Sequence, residues 1–436
     1  MNYYYDLAFA LASGSFCLFT GAGFSKQLTD NKMPSWGELL DEACAYLDKP
    51  KMAKRQLSEC ISEKLPLEDC AQVLELIFIK EKKDFREAIA DKIDSYKLHV
   101  ESSRGISDFI RRHKLIKVIS TNYDNLLQKY ILHDECNVNY PGKPIAKKSG
   151  LLDLYQIHGS VEHPPSMVAT TQDYYKFINF PTYFSRKIFT LMAENTVVFL
   201  GYSLGDPNLK AIIYAFRNST SGPPVRGSLF YFTRSKVPQY LKDHFERSFG
   251  LFVIDSTEID TALSGIEAEY SDAVKQVSRA EENLRNVLGG THHYNSKYLH
   301  STKSLMHIVS VANGIGENLS SNPFIKLLVG VLKKKIEFTH EDSAWDQYAD
   351  LAEWLVYIGS LFNISGTELE KPYLDAVARS MTSMSKSNRW ATSWKAYDIW
   401  RENWGNIMFG NRQIISEYVR SELAMYPDAL AAISDA

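Results

Sequence analysis

Four short clusters in this sequence of 436 residues join small residues to groups that can do chemistry. They are Gly21-Ala22-Gly23-Phe24-Ser25, Ser120-Thr121-Asn122-Tyr123-Asp124, Ile157-His158-Gly159-Ser160 and Gly201-Tyr202-Ser203-Leu204-Gly205-Asp206-Pro207-Asn208. In the first, nothing larger than a methyl group separates Thr20 from Phe24, so backbone N–H groups there can approach a phosphate closely. The third glycine of a G-x-G-x-x-G fingerprint is absent, and a tight turn without a ligand accounts for the fragment equally well. Asn122 is an amide able to orient water, and Asp124 a carboxylate able to offset positive charge; either also suits the cap of the helical pattern NLLQKYIL that follows. His158 offers an imidazole beside two small residues, the combination a general base needs in order to meet a ligand, although a lone histidine is often only structural. The pair His292-His293 has no acidic or cysteine ligand at a helpful spacing, and no metal is expected.

What brings such clusters together is the elements they terminate. Short apolar runs at 16–20, 115–121, 155–160, 196–203, 228–233 and 250–256 read as buried parallel strands, with helical stretches such as WGELLDEACAYL and NLKAIIYAFRN between them. Strand, helix, strand in repetition predicts an α/β, Rossmann-like parallel sheet, whose carboxyl edge would gather all four clusters into one crevice. Residues 50–113 carry only helical patterning and read as a helical module inserted between the first two strands, covering one side of that crevice. After residue 256 the strand signals stop. Segments 302–313, 323–336, 343–362, 367–384 and 412–434 have helical periodicity, 291–301 and 385–389 read as loops, and no fixed-period repeat is visible. The expected division is therefore a domain over 1–256 and an all-α domain over 257–436.

Composition bounds the function. With 49 basic and 52 acidic residues the formal charge is −3. The basic residues are dispersed, so direct nucleic-acid binding is not expected. Neither a cationic leader nor a run of about 18 apolar residues is present, from which we expect a cytoplasmic protein without a membrane partner. The five cysteines all lie within the first 136 residues and form no C-x-x-C pair, whereas six of the seven tryptophans follow residue 340. This argues against disulfides and a cysteine-built zinc site, and for two differently built halves.

GAGFS, TNYD, IHGS and GYSLGD, in this order, resemble the sirtuin-like NAD-binding domain, particularly the bacterial antiphage-defence branch, over residues 10–256. The resemblance implies that Gly21, Ala22, Gly23 and Ser25 cradle the NAD pyrophosphate and that Gly201 and Ser203 lie near the adenosine half, with Phe24, Thr121 and Asp206 also among the NAD-binding residues. It implies Asn122 and Asp124 at the nicotinamide and its ribose, and His158 at the reacting ribose. The protein-deacylating sirtuins carry two zinc-binding C-x-x-C pairs and a Gly-Ile-Pro-Asp-Phe-Arg stretch after the serine. Here the zinc pairs are missing and the loop reads KQLTDNKMPSWGEL, with Pro34 and Trp36 but no arginine.

The function so implied is a metal-independent NAD+ hydrolase, with NAD as substrate and water in place of acyl-lysine as acceptor. As a regulated effector it would act by NAD depletion, Asn122 orienting the water and His158 serving as general base near its ordinary pKa. Such an enzyme must be silent until triggered, which gives the helical half a role in homo-oligomer formation, in sensing a phage-derived trigger, or in docking a HerA-type ATPase or Argonaute-type nuclease. The alternatives are a non-catalytic module binding NAD or ADP-ribose, and an NAD-dependent deacylase or ADP-ribosyltransferase.

Overall fold

The structure, a computed structural model, describes residues 3–113, 116–133, 135–143, 151–179, 182–203, 207–219, 229–342, 344–386 and 393–434. They pack as two units, one drawn from Met1–Arg217 and Gly227–Ser271, the other from Asn218–Arg226 and Asp272–Ala436.

In the first unit seven strands pair in parallel throughout. They are β1 (Phe16–Thr20), β2 (Lys117–Ser120), β3 (Cys136–Asn139), β4 (Leu152–Gln156), β5 (Thr196–Leu200), β6 (Leu229–Phe232) and β7 (Leu251–Ile254), in the order β3-β4-β2-β1-β5-β6-β7. Every residue of β1, β5 and β6 is buried, which is why these central strands read as unbroken apolar runs rather than alternating ones. Five strands match those runs, and β4 is shifted toward the N-terminus, sharing only Tyr155 and Gln156 with the run 155–160. β3, with the sequence CNVN, matches none, because an edge strand needs less apolar surface and here pairs Asn137 with Asp153 by a 2.9 Å side-chain bond. The order reverses at β1, since the chain moves to one side of it through β2, β4 and β3 and returns to the other side through β5. A crevice opens at such a switch point outside the carboxyl ends.

Helix α1 (Tyr3–Ala12) precedes β1. Between β1 and β2 stand α2 (Ala22–Leu28), α3 (Trp36–Ala43), α4 (Pro50–Ser62), α5 (Leu67–Lys80), α6 (Phe85–Asp94) and α7 (Val100–Arg112). Between β4 and β5 lie α8 (Thr171–Asn179) and α9 (Tyr183–Glu194), and α10 (Pro207–Ser219) and α11 (Gln239–Phe249) flank β6. Alternation along β1 sends Cys17 and Phe19 into a core with Ile188 and Met192 of α9 and Ile212 and Phe216 of α10, while Phe16 meets Phe109 of α7 on the opposite face.

The boundary between units falls inside α12 (Ile259–Leu288), later than residue 256. The first turns of α12 are tied to the α/β unit: Asp260 accepts from Gln27 Nε2 at 3.1 Å, and Glu267 bonds Arg112 at 2.5 Å and His113 at 2.7 Å. In the second unit the helices Ser304–Gly314, Asn322–Phe338, Trp345–Leu361 and Glu370–Thr382 follow the periodicity. The segment 412–434 is instead two helices, Phe409–Glu422 and Pro427–Ala432, because a residue before proline avoids the helical region and proline favours a first helical position. Trp394–Asn403 is a further helix, and Ser296–Leu299 forms one short turn within the stretch read as a loop. Trp354, Tyr373 and Trp400 are fully buried there, and the buried Lys335 ammonium is matched by Asp350 at 3.0 Å and Gln347 at 2.9 Å.

Candidate active site

The glycine turn after β1 is explained first by the chain itself. Gly21 N–H donates to Leu200 O at 2.9 Å and Gly23 N–H to Gly201 O at 2.8 Å, stitching the carboxyl ends of β1 and β5 together. A Cβ on Gly21 would lie 2.8 Å from the Tyr202 ring, and one on Gly23 would lie 2.9 Å from Gly201 O. Gly201 has a φ of +77°, and its Cβ would fall 2.3 Å from the Phe24 nitrogen. These three glycines make room for each other's backbone at the switch point, so two of the amides expected to cradle a pyrophosphate are already engaged. The Phe24 side chain is buried in the core. Ala22 and Ser25 face outward onto a cavity of about 420 Å³, as do Thr121, Asn122, Tyr123, Asp124, His158, Tyr174 and Tyr202. Gly201 and Ser203 do not line it, and Asp206 lies outside the described residues.

Within this cavity a hydrogen-bonded chain fixes Asn122. Its Nδ2 donates to Gly21 O at 2.8 Å and to Ser25 Oγ at 2.7 Å, and Ser25 Oγ donates onward to Asp124 Oδ2 at 2.6 Å. Because Gly21 O can only accept, the amide's orientation is determined, and Oδ1 is left without a protein donor among the described residues. The other oxygen of Asp124 accepts from Leu126 N–H at 3.1 Å. Asp124 is therefore both the cap of the following turn and the anchor of the chain. Burial pushes its carboxyl up from the ordinary range, against the lowering effect of the Ser25 hydroxyl and the Leu126 amide. A second link joins Thr121 Oγ1 and the Tyr202 hydroxyl at 2.7 Å, and Tyr202 donates to Thr20 O at 3.1 Å.

His158 stands beyond the end of β4, where Gly159, at a φ of +92° and with no space for a Cβ, turns the chain back under Ser166 and Met167. The imidazole is 4 % exposed and meets the rings of Tyr174 and Phe177 edge-on at 5.3 and 5.7 Å. Its ring makes no hydrogen bond to the described residues, and burial without a charged neighbour lowers its pKa to about 4. The sequence predicts a histidine near its ordinary pKa, and burial overturns that expectation. The ring is uncharged throughout the neutral range, and its unprotonated nitrogen remains an acceptor.

The opposite wall is formed by Met33, Pro34, Trp36 and Leu39, from the loop after α2 and from α3, and by Leu67, Glu68 and Ile93 of the insertion. Trp36 is set by a capping box in which Ser35 N–H donates to Glu38 Oε2 at 2.6 Å and Glu38 N–H to Ser35 Oγ at 3.4 Å. That S-x-x-E signal is legible in PSWGEL. The place of Glu68 in the cavity is not, because only the fold brings the first turn of α5 to the crevice. Asp173, next to Tyr174 in α8, is bonded by Arg86 at 2.6 Å, and Arg86 also bonds Met167 O at 3.3 Å and Glu75, joining α8 to α5 and α6.

Among the described residues there is no group of histidine, cysteine and carboxylate side chains that could hold a metal ion, and no helix long and apolar enough to cross a membrane. The site thus consists of an oriented amide carbonyl, a neutral imidazole and a buried carboxyl around one cavity at the switch point.

Two comparisons bear on this geometry. The chain is 26% identical over 198 residues to NAD(+) hydrolase ThsA of Bacillus cereus (strain MSX-D12), an alignment covering 42% of this chain and 41% of that protein. The chain thus spans about two fifths of the length of the curated relative it matches. Residues 116–254 match the model of the SIR2-like domain, a stretch that runs from the start of β2 to the end of β7 and includes Asn122, Asp124 and His158. The chain carries a SIR2-like domain.

Proposed function

We propose that this protein is an NAD+ hydrolase that releases nicotinamide and ADP-ribose, and that it serves antiphage defence by depleting NAD when triggered. The observation that carries the reading is the convergence of the partner-free Asn122 Oδ1 and the uncharged His158 ring on one cavity. The bond to be broken, from ribose C1′ to the nicotinamide nitrogen, already has a cationic leaving group. The enzyme has to tolerate positive charge on the ribose and to place water on its other face. Asn122 Oδ1 accepts a hydrogen bond from that water. Neutral His158 accepts one from the water or a ribose hydroxyl without adding positive charge beside the developing cation. Asp124 acts through Ser25 to hold Asn122 still.

The resemblance to a hydrolase supports NAD as the substrate. The defence role rests on the motifs GAGFS, TNYD, IHGS and GYSLGD. Regulation is assigned to the helical unit, through self-association, a phage-derived trigger, or docking of a HerA-type ATPase or Argonaute-type nuclease. The test is NAD consumption by purified protein, with and without lysate from phage-infected cells, using chromatographic standards for nicotinamide and ADP-ribose. Stoichiometric release of both products, lost in Asn122→Ala, is the expected result. Measurable NAD binding with no release in either condition would overturn the hydrolase assignment and favour a binding module.

A further inference from the structure

Gln156 is the last residue of β4, paired in register with Ser120 of β2, and it is 1 % exposed. Its Nε2 donates to Asp124 O at 2.8 Å and to Tyr123 O at 3.3 Å, so both amide hydrogens are committed to the backbone that displays Asn122. Since both partners are carbonyls, the amide's orientation is fixed and its Oε1 points the other way. That Oε1 is buried with no hydrogen-bond partner. A buried acceptor left bare is costly, and such groups are ordinarily met by protein or ordered water. Beside Gln156 lies a small hollow of about 10 Å³, lined also by Ser120, Asn122, Asp124 and Ser25, roughly the space one water requires. Ser120 Oγ accepts from Asn122 N–H at 3.1 Å, which leaves its hydroxyl hydrogen to donate.

We infer that Gln156 is a positioning residue for Asn122, acting through the Tyr123 and Asp124 carbonyls and through one interior water bound between Gln156 Oε1 and Ser120 beneath the site. The inference deepens the proposed hydrolase reading, on which its kinetic arm rests. Gln156 does not touch the cavity itself. It and the water form a buried layer under the turn, so that the Asn122 carbonyl is held from below as well as by Ser25.

The test has a structural and a kinetic arm. A high-resolution crystal structure of the wild type is expected to show one water within hydrogen-bond reach of Gln156 Oε1. In Gln156→Met that water is expected to be lost and the Asn122 side chain to rotate. A dry hollow in the wild type, or an unmoved Asn122 in the variant, overturns the inference whether or not the protein cleaves NAD. In the kinetic arm Gln156→Met is expected to lower kcat at least tenfold with KM for NAD changed less than twofold, because the effect falls on an oriented group rather than on binding. Gln156→Glu, normalised to folded protein by circular dichroism, is expected to regain activity as pH falls, when its protonated carboxyl donates to Asp124 O. Equal kcat in the wild type and both variants, or a change confined to KM, refutes the positioning role. Absence of NAD cleavage in the wild type would refute the hydrolase reading alone, leaving the crystallographic arm to decide the inference.

Discussion

Removing one oxygen, that of Ser25, tests whether the polar chain in the cavity tunes catalysis or holds substrate. Ser25→Ala deletes the 2.6 Å bond to Asp124 and the 2.7 Å bond from Asn122 at once, in a residue that is 3 % exposed. A hydrogen bond to a charged group contributes about 1.5–3 kcal/mol and a neutral one about 0.5–1.5, so the two together are worth roughly 2–4.5 kcal/mol before any relaxation. Asn122 keeps its bond to Gly21 O, so its amide is loosened rather than released. If about 1.5–2.5 kcal/mol of the loss is felt where the water is oriented, kcat falls roughly ten- to seventyfold, at 1.36 kcal/mol for each factor of ten. The Asp124 carboxyl also loses a group that lowers its pKa and rises further, so any pH dependence of activity that it sets should move to higher pH in the variant than in the wild type. The assay is steady-state NAD cleavage with nicotinamide quantified by chromatography, run beside a thermal melt. A large fall in kcat with little change in KM supports a tuning role. Unchanged kcat with a raised KM would refute the reasoning and return Ser25 to direct contact with substrate, and unchanged values of both would show that the chain has no role in catalysis.

Three further outcomes follow from named contacts. His158, with a folded pKa of about 4 against an ordinary 6.5, leaves the unfolded chain binding more protons between those values, so stability is full above pH 6.5 and is lost as pH falls toward 4. The loss is about 3 kcal/mol at most, and urea denaturation of wild type against His158→Phe from pH 7 to 4.5 should show that slope only in the wild type. Arg86→Ala leaves Asp173 and Glu75 without their cation and should cost about 2–3 kcal/mol, read as a melting shift of several degrees together with weaker NAD binding as α8 detaches; an unchanged melt would discount the network. Gly23→Val and Gly201→Ala should each lower the melting temperature before any effect on ligand is felt, because their Cβ atoms collide with the backbone that joins β1 to β5, whereas Ala22→Val should retain the wild-type melt and lose NAD binding.

How far the sequence went depended on whether the signal was local. Apolar runs such as FCLFT and TVVFL announce central strands because parallel strands buried on both faces leave no polar position to disguise them. CNVN carries no such run and becomes a strand only because β4 offers it a partner. The Trp394–Asn403 helix is hard to read because its sequence, WKAYDIWREN, follows closely on the 385–389 stretch that reads as a loop and its burial is decided by packing on Trp345–Leu361. In the site, Asn122, Asp124 and His158 are legible as polar groups at strand ends, a position the doubly wound topology turns into a shared crevice. What no spacing could reveal is the division of labour among them, because that lies in contacts spanning about a hundred residues, such as Ser25 to Asp124 and Gly21 to Asn122.

The same contacts alter what the glycine turn is for. A short turn of small residues reads as space for a dinucleotide, yet Gly21 and Gly23 give that space to Tyr202 and Gly201. Beyond the Ala22 and Ser25 side chains that line the cavity, the turn contributes Gly21 O, which takes one hydrogen of the Asn122 amide and so fixes which way its oxygen points. Under the proposed reaction this is a physical reason for glycine that does not depend on a phosphate contact. Without a Cβ at Gly21, Gly23 or Gly201 the turns that follow β1 and β5 come close enough to bond each other, and the bonded turn presents that carbonyl at a fixed place. The uncharged His158 and the buried Asp124 complete the logic. A site meant to stabilise a cationic ribose gains from an acceptor that never protonates at neutral pH, and from a carboxyl whose influence reaches the substrate through an oriented amide.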